Sequence, residues 1–217
     1  MSLTTMPRQF IVAGIGTEIG KTVASAVLVE ALKADYWKPI QAGELENSDT
    51  NTVRQLVSNS TSRFHSEAYR LTQPLSPHAA ATLDGVTIDP KFITLPQTSN
   101  TLIVELAGGL MVPLNENYLN IDLIQQLGLP VILVSRNYLG SINHTLLSIE
   151  ACRSRNILLL GILFNGLTVS TTETFILNYT GLPCIGRIEQ ENVMTREMIS
   201  RYAARLLPTI YQLIKAF

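Results

Sequence analysis

The chain has 217 residues, 16 basic and 17 acidic side chains, a formal charge of −1 at pH 7 and 46% hydrophobic residues. That composition excludes intrinsic disorder, and the near-neutral charge lacks the basic footprint of a nucleic-acid binder. The longest apolar run, residues 157–164 with Gly161 inside it, falls far short of the ~20 residues that span a bilayer, which excludes a helical membrane protein.

Two cysteines, Cys152 and Cys184, are too few for a disulfide scaffold and read as small buried residues. The leading MSLTTMPRQF lacks the charged-then-apolar pattern of a signal peptide. The expectation is a reduced, cytoplasmic protein with no nucleic-acid or membrane partner, folded as one domain over residues 1–217.

In chain order, strands are expected at residues 9–13, 36–40, 101–106, 130–134, 157–164 and 184–188. Helices are expected at 22–34, 50–58, 121–127, 142–154, 172–179 and 195–216. Residues 59–96 are less regular and read as loops over the sheet edge. Several strands are apolar on both faces, as a parallel sheet covered by helices requires. Strands separated by helices imply right-handed βαβ crossovers and a three-layer α/β sandwich. In such a sheet ligands bind at the carboxyl ends of the strands.

Directly after the first strand comes Gly14-Ile15-Gly16-Thr17-Glu18-Ile19-Gly20-Lys21-Thr22, a P-loop pattern one residue longer than the usual spacing. Backbone N–H groups at a helix N-terminus, reinforced by the helix dipole, suit a phosphate. Lys21 brings a positive charge to the β- and γ-phosphates, and the Thr22 hydroxyl suits Mg²⁺. Glu105, the charge that ends the apolar run LIVE, is expected at the carboxyl edge of its strand as a further metal ligand. Asp49 reads equally as a helix N-cap. Lys38 lies inside the apolar strand at 36–40, where an ammonium needs solvent or a fixed anion. Two lysines at one phosphate would neutralise a transferring phosphoryl group. His65, His78 and His144 have no metal-ligand spacing and read as hydrogen-bonded structural histidines.

These residues resemble the dethiobiotin synthetases. The pattern G-x-x-T-E-x-G-K-T is met by Gly14, Thr17, Glu18, Gly20, Lys21 and Thr22, and K-P-[IV]-x-x-G by Lys38, Pro39, Ile40 and Gly43. Ser76-Pro77-His78, Val104-Glu105-Leu106-Ala107-Gly108-Gly109 and Leu139-Gly140-Ser141-Ile142-Asn143-His144 follow in order, and Asn165 stands where that family contacts adenine.

The resemblance implies a P-loop fold and ATP-dependent closure of a cyclic urea from 7,8-diaminopelargonic acid and CO₂, through a carbamate and its mixed anhydride with phosphate. It implies Lys21 and Lys38 as catalytic groups, with Thr22, Asp49 and Glu105 holding Mg²⁺. Around ATP it places Thr17, Glu18, Ile19, Gly20, Lys21, Thr22, Val23, Asp49, Glu105, Gly108 and Asn165. Around the substrate it places Thr17, Lys38, Ala42, Ser141 and Asn143. The last two would come from the partner subunit of a homodimer.

Four positions depart from the family pattern. Ala42 replaces a hydroxyl residue, Leu106 replaces a glycine and so crowds the substrate approach, Glu189 replaces a proline, and Gly16 replaces an acidic residue. Two other readings stay open. One is a ParA/MinD-like dimeric ATPase switch, although Gly16 stands where those proteins carry a signature lysine. The other is a catalytically idle nucleotide-binding homologue.

Overall fold

The computed structural model of the chain describes residues 9–216. Residues 1–8, most of the stretch read above for a targeting signal, lie outside them. In chain order the elements are β1 (Gln9–Gly14), α1 (Lys21–Leu32), β2 (Asp35–Trp37), β3 (Ile40–Ala42), α2 (Asp49–Leu56), β4 (Phe64–His65), β5 (Tyr69–Leu71) and α3 (Pro77–Leu83). After a 3₁₀ turn at Pro90–Phe92 come β6 (Leu102–Gly109), β7 (Pro113–Asn115), β8 (Tyr118–Leu119), α4 (Asn120–Leu127), β9 (Val131–Arg136), α5 (Ser141–Ser154), β10 (Leu159–Asn165), α6 (Ser170–Thr180), β11 (Cys184–Ile188) and α7 (Arg196–Ala216).

Seven strands form one sheet in the order β11-β10-β9-β1-β6-β2-β4. Every neighbouring pair in it is parallel, as helical crossovers require. Side-chain alternation divides the interior into two cores. Along β1, Phe10 and Val12 face a core completed by α1, α2 and α7, whereas Ile11 and Ala13 face one completed by α3, α4, α5 and α6. Each fully buried Ile, Leu or Phe contributes about 1.5–3 kcal/mol, so these two apolar layers dominate the stability of the three-layer sandwich. Among the described residues, no helix is long and apolar enough to cross a membrane.

Several expectations change. The strand expected at 36–40 breaks at Lys38-Pro39, because Pro39 has no N–H to give the ladder. β2 therefore stops at Trp37, and β3 pairs with β5 in a separate small sheet. The stretch read as loops, 59–96, holds β4, β5 and α3. β6 runs past 106 to Gly109, so Glu105 lies within the strand, opposite Val12 of β1, and not at its end. Cys152 is buried as expected, but Cys184 is exposed because it opens β11 at the sheet edge.

Asp35 fastens the other side of the sheet. Its Oδ1 accepts from the Arg63 N–H (3.0 Å) and Asn100 Nδ2 (3.0 Å), and its Oδ2 meets Thr98 Oγ1 (2.7 Å) and His65 Nε2 (3.0 Å). Burial opposes the charged form, but these hydrogen bonds outweigh it and hold the carboxyl below its ordinary pKa. The stabilisation is therefore present above the ordinary carboxylate range near ~4 and is lost as pH falls through the depressed value. Asp35→Asn should cost about 2 kcal/mol at neutral pH. In denaturant titrations it should also flatten the loss of stability that the parent protein shows on acidification.

Candidate active site

The loop after β1 turns twice through left-handed backbone, at Glu18 (φ 56°) and Gly20 (φ 89°). Gly20 is also the N-cap of α1, which has no side-chain cap and no acidic residue in its first turn. The first N–H groups of α1 and the positive end of its dipole are thus left for an external anion. The loop packs tightly here. A Cβ on Gly20 would lie 2.0 Å from Asn165 Nδ2, and that amide donates to the Ile19 carbonyl at 2.9 Å. The Ile19 side chain sits in the core and Val23 packs against it, so both face the loop through their backbones. Thr17 is exposed beside Gly108, where φ is 69° and a Cβ would stand 3.6 Å from Thr17 Oγ1.

Lys21, Thr22, Lys38, Asp49 and Glu105 meet in one cluster. Thr22 Oγ1 is 2.5 Å from Asp49 Oδ1 and 2.9 Å from Glu105 Oε1. Lys38 Nζ bonds Asp49 Oδ2 and lies 3.5 Å from Glu105 Oε1. Lys21 Nζ folds back to the Gly16 carbonyl at 2.7 Å. Lys21, Lys38 and Glu105 are all buried. Asp49 is not the helix cap that its position allowed. Ser48 caps α2 by accepting from the Asn51 N–H at 3.3 Å, which leaves the Asp49 carboxylate free to turn to Thr22 and Lys38.

Two ammonium groups and two carboxylates formally cancel, yet their environments differ. Burial pulls Lys21 down to about 8; Glu105 partly offsets this and Lys38 adds to it. Burial also works against the Lys38 ammonium, but the Glu105 and Asp49 charges outweigh it and raise its pKa. The same contact keeps Asp49 ionised. Burial alone would raise its carboxyl; the Lys38 charge, together with the hydrogen bonds from Lys38 and Thr22 and the Lys21 charge, more than reverses that.

Sequence reasoning missed three residues that shape this cluster. Tyr36, fully buried in β2, donates from its hydroxyl to Glu105 Oε2 at 3.0 Å. Burial, then the Glu105 charge, hold that phenol well above its ordinary pKa, so it remains a donor. Gln41 accepts from the Asp49 N–H (3.2 Å) and donates to the Gly43 carbonyl (2.9 Å). Arg136, ending β9, donates to the Glu18 carbonyl at 3.0 Å. The available signal was polarity in apolar strands, since a buried hydroxyl or amide needs a partner.

The remaining candidates divide. Ala42 ends β3, where it packs against the second core. Ser141 is buried and Asn143 exposed at the start of α5, and no hydrogen bond or ion pair among the described residues links either to the cluster. α5 begins, like α1, after a left-handed glycine, with no side-chain cap and no acidic residue in its first turn. Its flank, with Ile15, Gly16, Thr17, Met111 and Val112, lines a groove of about 380 Å³. All three histidines are hydrogen-bonded as expected: His65 to Asp35, His78 to Ser76 and His144 to Tyr138.

Two departures prove harmless to the geometry. Leu106 does not crowd the site, because strand alternation sends it into the second core while Glu105 faces the cluster. Glu189 is held by Thr168 (3.1 Å), Arg187 (3.3 Å) and, through its N–H, Tyr202 (3.1 Å).

Residues 8–198 match the family model described as an AAA domain. The chain is 54% identical over 200 residues to the ATP-dependent dethiobiotin synthetase BioD of Christiangramia forsetii, covering 92% of this chain and 96% of that protein. It is 47% identical over 206 residues to the same-named protein of Cytophaga hutchinsonii, covering 94% of this chain and all of the other. Among solved structures it is similar to a ParA family ATPase from Chlorobium tepidum, with a TM-score of 0.57, 13% identity and 96% of each chain covered. At that identity the likeness shows the P-loop fold alone, whereas the sequence relatives favour the ligase reading over the ATPase switch.

Proposed function

The chain belongs to the ATP-dependent dethiobiotin synthetase family, and from that membership we propose that it is the carbon–nitrogen ligase that closes the cyclic urea of dethiobiotin in biotin biosynthesis. Its substrates are 7,8-diaminopelargonic acid, CO₂ and ATP, and its 217 residues act as one P-loop α/β domain in the cytoplasm. The observation that carries the reading is the convergence of Lys21, Lys38, Thr22, Asp49 and Glu105 at the uncapped N-terminus of α1.

The site's donors are all oxygens, one hydroxyl and two carboxylates, and such hard ligands fit Mg²⁺. Thr22, Asp49 and Glu105 would hold the ion, which when bound neutralises charge on the terminal phosphate. Backbone amides from Glu18 to Val23 wrap the triphosphate, and Asn165 with Gly108 borders the nucleotide. Lys21 supports the γ-phosphate.

In the reaction, one substrate amine takes up CO₂ and loses a proton, giving a carbamate. A carbamate oxygen attacks the terminal phosphorus while the bond to the ADP oxygen breaks. The neighbouring amine then attacks the carbamate carbon and gives up a proton, forming the second C–N bond. Phosphate leaves with the former carbamate oxygen. Lys38 would exchange its carboxylate partners for oxygens of the carbamate and phosphate, spanning both. The protein's contribution is positioning and charge neutralisation.

Thr17 faces the carbamate, and the groove beside it takes the alkyl chain; Ala42, which offers no hydroxyl, does not line that groove. Ser141 and Asn143 of a second copy receive the substrate carboxylate at the N-terminus of α5, which has no side-chain cap. Exposed Met111 and Leu147 on this groove, with exposed Leu139 just before α5, support a homodimer with the site near its interface.

Purified protein mixed with ATP, Mg²⁺, bicarbonate and the diamine should release one phosphate for each dethiobiotin formed. Release that continues without the diamine would contradict the reading, and bound ATP with no turnover would mark an idle homologue.

Gly20→Ala tests the loop. Both its left-handed backbone and the collision with Asn165 oppose a side chain. Strain of roughly 1–3 kcal/mol should weaken binding of a fluorescent ATP analogue by about tenfold or more.

A further inference from the structure

Glu105 presents its two oxygens to two different surroundings. Oε1 faces the cluster, 2.9 Å from Thr22 Oγ1 and 3.5 Å from Lys38 Nζ. Oε2 points into the protein and is taken by the Tyr36 hydroxyl at 3.0 Å. Tyr36 has no exposure, stands on the neighbouring strand β2 with Ile103 as its register partner, and tilts against Phe64 with ring centroids 6.3 Å apart. A carboxylate with both oxygens free swings about its last bond and can bind a cation through one oxygen or both. Occupying one oxygen with a donor on a rigid strand removes that freedom.

We propose that Tyr36 is a positioning residue for the metal site: by capping Oε2 it leaves Oε1, the oxygen that meets the Thr22 hydroxyl, as the one that would bind the ion. The inference rests on the assignment of Glu105 to the metal set. Partners that orient a ligating carboxylate in this way typically change metal affinity by about 10–100-fold when removed. Tyr36 is fully buried and its hydroxyl is spent on Glu105, so its influence on the site passes through that carboxylate.

Tyr36→Phe keeps the ring in the core and removes only the hydroxyl. Binding of Mn²⁺, followed by electron paramagnetic resonance in the presence of a non-hydrolysable ATP analogue, should weaken about tenfold. The Mg²⁺ concentration for half-maximal turnover should rise in step, with kcat recovering at saturating Mg²⁺. A variant that loses thermal stability but keeps the parent metal curve would overturn the proposal, since that is the outcome of a purely structural tyrosine.

Glu105→Gln separates the two levels. If it leaves Mn²⁺ affinity unchanged, the metal assignment itself fails and the Tyr36 role falls with it. If it weakens the affinity, the double variant should be no weaker than Glu105→Gln alone, and additive losses would show that Tyr36 acts by another route. Should Tyr36→Phe not fold, Mg²⁺ added to the unsubstituted protein with the analogue should still perturb the near-ultraviolet tyrosine absorbance as the Glu105 hydrogen bond weakens. An unchanged tyrosine spectrum would count against the proposal.

Discussion

Lys38→Ala should abolish dethiobiotin formation while leaving ATP affinity nearly intact. The Lys38 ammonium bonds Asp49 and lies 3.5 Å from Glu105, whereas Lys21 bonds the Gly16 carbonyl of the loop, and on the proposed assignment Lys21 with the free amides of α1 holds the triphosphate. Loss of a preorganised cation at a developing charge costs about 10²–10³-fold in kcat. Calorimetric ATP titration beside a phosphate-release assay checks the split. Equal collapse of binding and turnover would make Lys38 a nucleotide contact or a structural ion-pair partner. The substitution should also destabilise the metal-free protein by about 3–5 kcal/mol, because Asp49 and the buried Glu105 would lose the ammonium that pairs with them and keep only the Lys21 charge, and Mg²⁺ with ATP should restore part of that loss.

Lys21→Ala should do the reverse and remove nucleotide binding itself. Its ammonium folds over the loop to the Gly16 carbonyl, poised at the uncapped end of α1. Charge-assisted hydrogen bonds to phosphate are roughly twice as strong as neutral ones, and losing about 3 kcal/mol of them raises Kd by about a hundredfold. A fluorescent ATP analogue should show this directly. Unchanged affinity with lost turnover would exchange the roles assigned to the two lysines.

Much of this arrangement was legible in the residues alone, and the reasons differ between its parts. β1, β9 and β10 appear where apolar runs demanded them, because a parallel sheet buried on both faces tolerates little else. Lys21 and Thr22 are marked by the glycines around them, which the left-handed turn at Gly20 and the tight approach to Asn165 require. Lys38 was legible as a charge in an apolar context, but not its position between strands. That depended on Pro39 ending the ladder, which lets the chain leave the main sheet and carry Ala42 into a second one.

Asp49 could not be separated from an N-cap by sequence, because the same residue type serves both uses; Ser48 takes the cap and decides it. The threat assigned to Leu106 disappeared once β6 proved to continue to Gly109, since a regular strand sends neighbours to opposite faces. Tyr36 and Gln41 escaped notice because each acts on a partner distant in the chain or hidden by a turn, Tyr36 on Glu105 and Gln41 on Asp49. Such contacts are set by register and packing, which no local pattern reports.

If a carbamate oxygen attacks the terminal phosphorus of ATP between Lys21 and Lys38, isotope transfer reads that bond directly. With ¹⁸O-labelled CO₂ supplied to protein, diamine, Mg²⁺ and ATP, and the phosphate collected before exchange with water, each phosphate released should carry one labelled oxygen from the CO₂. Unlabelled phosphate, its fourth oxygen coming from solvent, formed alongside dethiobiotin would show that water and not the carbamate receives the phosphoryl group.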